Sequence, residues 1–480
     1  MQNPTPSSDE VVIHLPVSRS RDDSAERAAG VLTDTDIANA HRLADAHGSD
    51  IRFTEARGWL VWDGQRWGTD ESGIRVQGLA KATAANILTE GNGDDDQPTL
   101  RHARRSQSRG GIEAMIYLVR SEPGIFAPMS GFDSNPWLLN VANGTLDLKA
   151  GLLRPHRRED HLTKLVPIDF DETADCPRWV EFLDRVTGQN EELRAYLQRL
   201  AGYLLTGVTT EQSFHFLYGE GANGKSVFCE IIALLLGEYA MIAQPQMIMA
   251  RRHSGVPNDI ARLKGMRTVL MNETSQESRF DEARLKDLTG TDSLTGRFLN
   301  REFFDFAPTH KLLLRGNHKP TIVGTDNGIW RRLHLVPFTV SIPEPEQDRH
   351  LLEKLRRELP GILRWALVGC LEWQRLGLAP PPMITQAVDD YRQESDTLGR
   401  FIEEHCQPSP DAQTKTSAFF GQYRDYCQQL GERSLSQRDV AGEMERRGYL
   451  RRRTTGGARI FEGIELKAFC GGPWGEPTCE

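Results

Sequence analysis

Short apolar blocks alternate with amphipathic stretches along this chain, the pattern of a mixed α/β protein. Phe214-His215-Phe216-Leu217-Tyr218 predicts a buried strand, and 227–235, apolar except at Glu230 and free of Gly and Pro, predicts a helix. Further strands are predicted at Arg267-Thr268-Val269-Leu270-Met271-Asn272-Glu273, at Lys311-Leu312-Leu313-Leu314-Arg315-Gly316-Asn317 and over 333–338. Nearer the start, Ile37, Ala40, Leu43 and Ala44 have helical spacing, while Ile51-Arg52-Phe53 and Trp59-Leu60-Val61-Trp62 read as strands, with Asp63-Gly64 as a hairpin turn. The segment 140–148 reads as a strand broken by an Asn143-Gly144 turn, 176–207 as a pair of helices, and 347–376 as helical, ending near Gly377 and a Pro380-Pro381-Pro382 boundary or lid turn.

Over 398–466 helices alternate with a terminal hairpin. Phe419, Phe420, Tyr423, Tyr426 and Cys427 have the spacing of a helical core face, and Arg451-Arg452-Arg453 and Arg459 flank a Thr-Thr-Gly-Gly turn. Such helices followed by a hairpin predict a winged-helix domain, and the Arg cluster at its hairpin predicts a DNA contact. Residues 1–33 are polar and mixed in charge, which predicts disorder. The stretch 91–111, with Gly93-Asp94-Asp95-Asp96, His102, Arg104, Arg105 and Arg109, reads as a solvated loop, and 469–480 as a Gly/Pro-rich tail.

Composition adjusts this picture in three places. A chain of 480 residues with 38% hydrophobic content has room for roughly three cored domains. No apolar run approaches the ~20 residues of a membrane span, and the polar N-terminus lacks the charged start and apolar block of a secretory signal, so neither membrane insertion nor secretion is expected. The seven cysteines are scattered without C-x-x-C pairing, which points to reduced thiols rather than a disulfide frame or a zinc site. A net charge of −9 excludes little, because local basic clusters decide nucleic-acid binding.

The chemistry concentrates at Gly219-Glu220-Gly221-Ala222-Asn223-Gly224-Lys225-Ser226, which satisfies every fixed position of the G-x-x-x-x-G-K-[ST] phosphate loop and lies between a predicted strand and a predicted helix. Backbone N–H groups of such a loop close around phosphates, Lys225 reaches the β/γ oxygens, and the Ser226 hydroxyl can ligate Mg²⁺. ATP and Mg²⁺ are therefore the expected cofactors. Glu273, at the end of the next apolar strand, is the candidate base that orients the attacking water, and Asn317, at the end of another, is a candidate γ-phosphate sensor. Arg331 and Arg332, after an Asp326-Asn327-Gly328 turn, suit an arginine finger delivered to a neighbouring subunit. Thr295 to Leu299 and Glu302 to Ala307 alternate well enough for two strands around an Asn300-Arg301 turn, in which Arg297, Phe298 and Arg301 could track DNA.

These motifs, in this order, resemble the superfamily 3 helicases of the satellite-phage and poxvirus primase-helicase type. The match rests on the phosphate loop, the Val269-Leu270-Met271-Asn272-Glu273 strand, the segment from Lys286-Asp287-Leu288-Thr289-Gly290-Thr291-Asp292 to Arg297, and the Asn317 strand followed by Trp330-Arg331-Arg332. Asn140 to Leu148 and Gly202-Tyr203-Leu204-Leu205-Thr206-Gly207 resemble the adaptor of the phage proteins. The resemblance implies an α/β fold with an AAA+-like P-loop ATPase core (208–345), preceded by a small α/β region (34–135) and a helical adaptor or collar (136–207). A helical lid or linker (346–395) and a winged-helix-like domain (396–468) follow it.

It also implies a homo-hexameric ring around single-stranded or forked DNA, ATP hydrolysis between subunits, and residence in the cytoplasm of a bacterial host. By the same comparison Arg332 rather than Arg331 matches the finger, and Arg297-Phe298-Leu299-Asn300 resembles the DNA-tracking hairpin of polyomavirus large T antigen. One departure is that many relatives carry two acids at the end of the second strand, and here the first is Asn272. Because 1–135 shows neither paired metal-binding acids nor a cysteine-rich zinc module, the expectation is a helicase that relies on a separate primase or on host replication proteins. An AAA+ origin-binding or DNA-packaging switch and an active primase-helicase stay open as alternatives.

Overall fold

The structure, a computed structural model, describes residues 34–89, 97–250, 258–272, 279–297, 303–322, 327–432 and 434–467. The segments read as disordered start and Gly/Pro-rich tail lie outside these residues. The chain divides into two units, the first made of 1–63 with 67–129 and the second of 64–66 with 130–480.

In the first unit, strands β1 (Ile51–Thr54), β2 (Gly58–Trp62) and β3 (Trp67–Thr69) form an antiparallel sheet. Helices Asp36–His47, Ile74–Asn86 and Arg109–Leu118 close a core around Leu43, Ile51, Val76, Ile112 and Met115. The expectation of a solvated loop over 91–111 is corrected for its described part. Gln97–Ser106 and Arg109–Leu118 are helices. The first escapes a search for apolar spacing because polar groups do its burying: His102 Nε2 lies 3.0 Å from Asn39 Oδ1, and Asn39 Nδ2 donates to Ser106 Oγ at 2.9 Å.

The second unit opens with the antiparallel strands β4 (Leu138–Val141), β5 (Gly144–Asp147) and β6 (Leu152–Arg154), joined by the expected Asn143-Gly144 turn. Helices Pro177–Val186 and Glu191–Leu205 follow. The centre is a five-stranded parallel sheet of β7 (Phe214–Tyr218), β8 (Ala240–Ala243), β9 (Thr268–Met271), β12 (Lys311–Gly316) and β13 (Leu333–Pro337), in the order β13-β7-β12-β9-β8. These strands are mainly apolar because both faces are covered, as parallel sheets require, with His215, Thr268, Lys311, Arg315 and His334 as the polar exceptions. Between β9 and β12 the chain makes a separate antiparallel hairpin of β10 (Leu294–Arg297) and β11 (Phe303–Phe306), with Arg297 opposite Phe303.

Helix Leu359–Leu376 packs on Glu191–Leu205 so closely that a Cβ at Gly202 would lie 2.0 Å from Cys370 N, and one at Gly369 2.0 Å from Gln198 O. The triple proline does more than punctuate, since Pro382 opens the helix Pro382–Ser395, a position where its missing N–H costs nothing. Two buried cations join the sheet to the preceding helical layer. Arg267, at the start of β9, donates to the carbonyls of Leu205 and Leu138, and its guanidinium lies over the Tyr239 ring at 4.4 Å. Lys311, at the start of β12, donates to Thr206 O. Both therefore sit at the carbonyl-rich C-terminal end of helix Glu191–Leu205, where the helix dipole favours positive charge.

The last part of the unit carries helices Thr397–His405, Thr416–Gln429 and Gln437–Arg446 beside strands β14 (Cys406–Lys415), β15 (Arg451–Arg453) and β16 (Arg459–Leu466), in the order β14-β16-β15. Phe419, Tyr423, Tyr426 and Cys427 are buried, as their spacing predicted. Strand β14 escaped prediction because it is a polar edge strand with prolines at 408 and 410 and an irregular register between Pro408 and Gln413. No helix among the described residues is long and apolar enough to cross a membrane.

Candidate functional site

A cleft of about 1850 Å³ opens at the C-terminal ends of β7, β9 and β12, the side on which open α/β sheets bind ligands. Its floor is the glycine-rich loop that leaves β7. Gly219 has φ 149°, and a Cβ there would stand 2.0 Å from Phe338 O, so backbone and loop touch at that point. Asn223 Nδ2 donates to Phe338 O at 2.7 Å and to Glu220 O, while Ile342 N donates to Ala222 O at 2.8 Å. The segment after β13 thus straps the loop in place. Glu220, Gly221, Ala222 and Ser226 are exposed along the cleft, whereas Asn223 and Lys225 are buried.

Gly224, at φ 85°, caps the helix Lys225–Leu236, and its missing side chain admits Val186 and Phe182 of helix Pro177–Val186. No side chain caps the first turn of this helix, so its N–H groups and dipole face the cleft. Lys225 Nζ donates to Gly219 O at 2.5 Å, to Asn223 Oδ1 at 3.0 Å and to Asn317 Oδ1 at 3.1 Å. Lys225 and Asn317, nearly a hundred residues apart in sequence, are therefore brought together. Cys229, one turn on, is a packing residue whose thiol burial pushes up to about 12, against the pull of Arg315 and Lys225.

Beside them, Asn272 Oδ1 accepts from Arg315 Nε at 2.8 Å. Sequence reasoning noted Asn272 only as a departure and gave Arg315 no role. The available signal was a cation closing an apolar strand two positions before Asn317. Glu273, the expected base, lies outside the described residues, as do Phe298 and Arg301 of the expected DNA hairpin. Arg297 is described, exposed at the end of β10, with its guanidinium 5.0 Å from the centre of the exposed Phe303 ring.

Arg332 is not in the cleft. Leu333 pairs with Phe214 at the opposite ends of the strands from the loop, roughly 16 Å away at about 3.3 Å per residue. Its Nη1 donates to Gln212 Oε1 at 3.0 Å, its Nε is buried without a partner among the described residues, and Arg331 beside it is exposed. The Arg cluster of the last domain is less free than its sequence implies. Arg451 Nε pairs with Glu445 at 3.1 Å and Arg452 Nε with Glu462 at 3.0 Å, so acids brought in by folding partly neutralise the exposed arginines at 451–453.

Beneath the loop, Tyr196 hydroxyl lies 3.1 Å from His215 Nδ1 and 2.8 Å from His334 Nδ1. Burial pushes both histidines down, His334 to about 4, so this network is neutral and structural.

Two family models match the chain: one described as "D5 N terminal like" over 40–188, and a family of unknown function over 217–332. The chain is 27% identical over 299 residues to a protein named "Putative helicase" of Acanthamoeba polyphaga mimivirus, covering 58% of this chain and 31% of that protein. It is 25% identical over 378 residues to a "Putative helicase" of Frog virus 3, covering 61% and 39%. A "Putative primase" of African swine fever virus is 27% identical over 321 residues, covering 59% and 32%. The chain thus spans about a third of the length of these relatives. Among solved structures, an apo form of the NrS-1 C-terminal region is 10% identical with a TM-score of 0.45, covering 89% of this chain and 100% of that one, a likeness too distant to carry a conclusion.

Proposed function

Since this chain belongs to the D5-like primase-helicase family, we propose that it is an ATP-hydrolysing, ring-forming DNA helicase that serves phage, prophage or plasmid replication. The observation that carries this reading is the Lys225 ammonium held by Gly219 O, Asn223 and Asn317 at the uncapped N-terminus of a helix, in a cleft at the C-terminal end of a parallel sheet. Together with the P-loop motif and the AAA+-like order of elements, it suits a polyphosphate. Backbone N–H groups of 221–226 bind the β-phosphate, and Lys225 turns from its loop acceptors to the β/γ oxygens. Asn317, already on Lys225, orients the terminal phosphate, and Glu273 polarises the attacking water.

The donor set fits Mg²⁺ that enters with the nucleotide. The exposed Ser226 hydroxyl is an oxygen ligand at the end of the glycine-rich loop, Asn272 Oδ1 is engaged by Arg315, and Mg²⁺ commonly takes its remaining ligands from phosphates and water. Ser226, with Glu273, would hold the ion, which supplies charge neutralisation of the β/γ oxygens.

Arg332, at the far ends of the strands from the cleft of its own chain, would act on a neighbour's nucleotide in a ring of subunits. The winged-helix-like domain and the β10–β11 hairpin are the proposed DNA contacts, with Arg451, Arg452 and Arg453 on the first and Arg297, Phe298 and Arg301 on the second.

Lys225→Ala tests the reading. Hydrolysis should vanish while the variant still folds, with a modest loss of melting temperature from the three acceptors left without their donor, because the substitution removes the charge facing the phosphates. Retained turnover in the purified variant refutes it. Displacement of a strand from a forked duplex separates a helicase from an origin-binding switch, and a six-membered particle with ATP and DNA tests the ring.

A further inference from the structure

Among the cations that line the cleft, Arg315 is the one that leaves the central sheet beside the loop lysine. Leu314 pairs with Met271, so Arg315 and Asn272 leave adjacent strands side by side, and Asn317 follows two positions after Arg315, just past the end of β12. All three line the cleft together with Lys225 and Ser226. Arg315 spends its Nε on the Asn272 amide oxygen at 2.8 Å. Its Nη1 is shielded from solvent and meets no acceptor among the described residues. A shielded guanidinium N–H without an acceptor is costly, and at the wall of a binding cleft it is placed to meet an atom of a ligand.

We propose that Arg315 is an anion-positioning residue of this cleft, binding the terminal phosphate of the nucleotide from within the same chain while Asn272 holds its guanidinium in place. The inference rests on the nucleotide reading of the cleft. It gives the amide at 272 a reason: a carboxylate there would clamp the guanidinium in a bidentate pair and spend its charge, whereas a neutral oxygen orients Nε and leaves the Nη groups for the ligand. Lys225 meets the β- and γ-phosphates together, but Arg315 approaches from the strand that bears Asn317, the side of the terminal phosphate. Its contribution therefore separates a triphosphate from a diphosphate.

Equilibrium titration of Mg·ATP and Mg·ADP into the full chain, wild type and the variants Arg315→Ala, Arg315→Lys and Asn272→Asp, tests this. Arg315→Ala should weaken ATP about ten- to hundredfold, the range of a lost charge-assisted hydrogen bond, and ADP by less than about threefold. Arg315→Lys should recover part of the ATP loss. Asn272→Asp should weaken ATP and spare ADP, with the cation still present. Equal losses for both nucleotides, or no loss, overturn the proposal, because a structural role does not distinguish them. If Arg315→Ala fails to fold, Arg315→Lys and Asn272→Asp still decide by the same ratio. Wild-type protein that binds neither nucleotide overturns the reading of the cleft itself, and this inference with it.

Discussion

Gly224→Ala probes the joint between the glycine-rich loop and the helix beneath it. The residue has φ 85°, a left-handed conformation that costs a non-glycine residue about 1–2 kcal/mol. A Cβ there would also stand 2.5 Å from Val186 Cγ1 and 2.9 Å from Phe182 Cε2. Both partners belong to a packed helix, and overpacking of this kind typically costs about 1–3 kcal/mol more. The sum, about 2–5 kcal/mol, is a large share of the ~5–15 kcal/mol that holds a typical domain together. Denaturant midpoints of wild type, Gly224→Ala, Val186→Ala and the double variant measure it. Removing Val186 Cγ1 takes away the nearest obstacle but neither the backbone strain nor the Phe182 contact, so the double variant should be less destabilised than the sum of the singles by about 1 kcal/mol. The reasoning is wrong if the two changes add within about 0.5 kcal/mol, or if Gly224→Ala alone costs less than about 1 kcal/mol.

Arg332→Ala should be nearly inactive alone yet regain hydrolysis when mixed with Lys225→Ala, because mixed rings contain interfaces with an intact loop and an intact finger; no rescue at any ratio, with mixed rings present, counts against this finger. Burial holds His334 and His310 near about 4, below the ordinary 6.5, so the unfolded chain binds their protons first as pH falls. Stability should be complete above about pH 6.5 and decline towards pH 4 at about 1.4 kcal/mol per pH unit for each histidine, with a shallower decline in His334→Gln; urea midpoints that stay level from pH 7 to 5 contradict this. Arg297→Ala combined with Phe298→Ala should leave basal ATPase activity and assembly near wild type while abolishing DNA stimulation and unwinding, and unwinding that survives moves the DNA contact elsewhere.

Much of the central sheet was legible because its strands are mainly apolar and β-branched or aromatic, and the loop at 219–226 because glycine spacing, Lys225 and Ser226 report a local geometry. Asn317 could be picked out from its place at a strand end, yet its partner could not: only the parallel pairing of β12 with β7 brings it to Lys225. The same limit hid the Arg315–Asn272 contact, a product of strand register. It also hid Glu445 and Glu462 opposite Arg451 and Arg452, since a run of arginines in sequence says nothing of the acids that folding brings across. The helix Gln97–Ser106 was missed for a different reason, its buried face being built from His102 and Ser106, which carry no hydrophobic signal.

The two cations that reach back from β9 and β12 bear on how this protein can be divided. Any cut near 207 would remove the carbonyls of Leu138, Leu205 and Thr206 to which Arg267 and Lys311 donate, leaving two positive groups at the foot of the sheet without their acceptors. A fragment starting at the sheet would have to drag these charges into solvent and open its own lower edge to do so. The strands and helices between β4 and β7 are therefore a working half of the sheet's foundation, and the smallest piece that can stand alone begins before β4 rather than at β7.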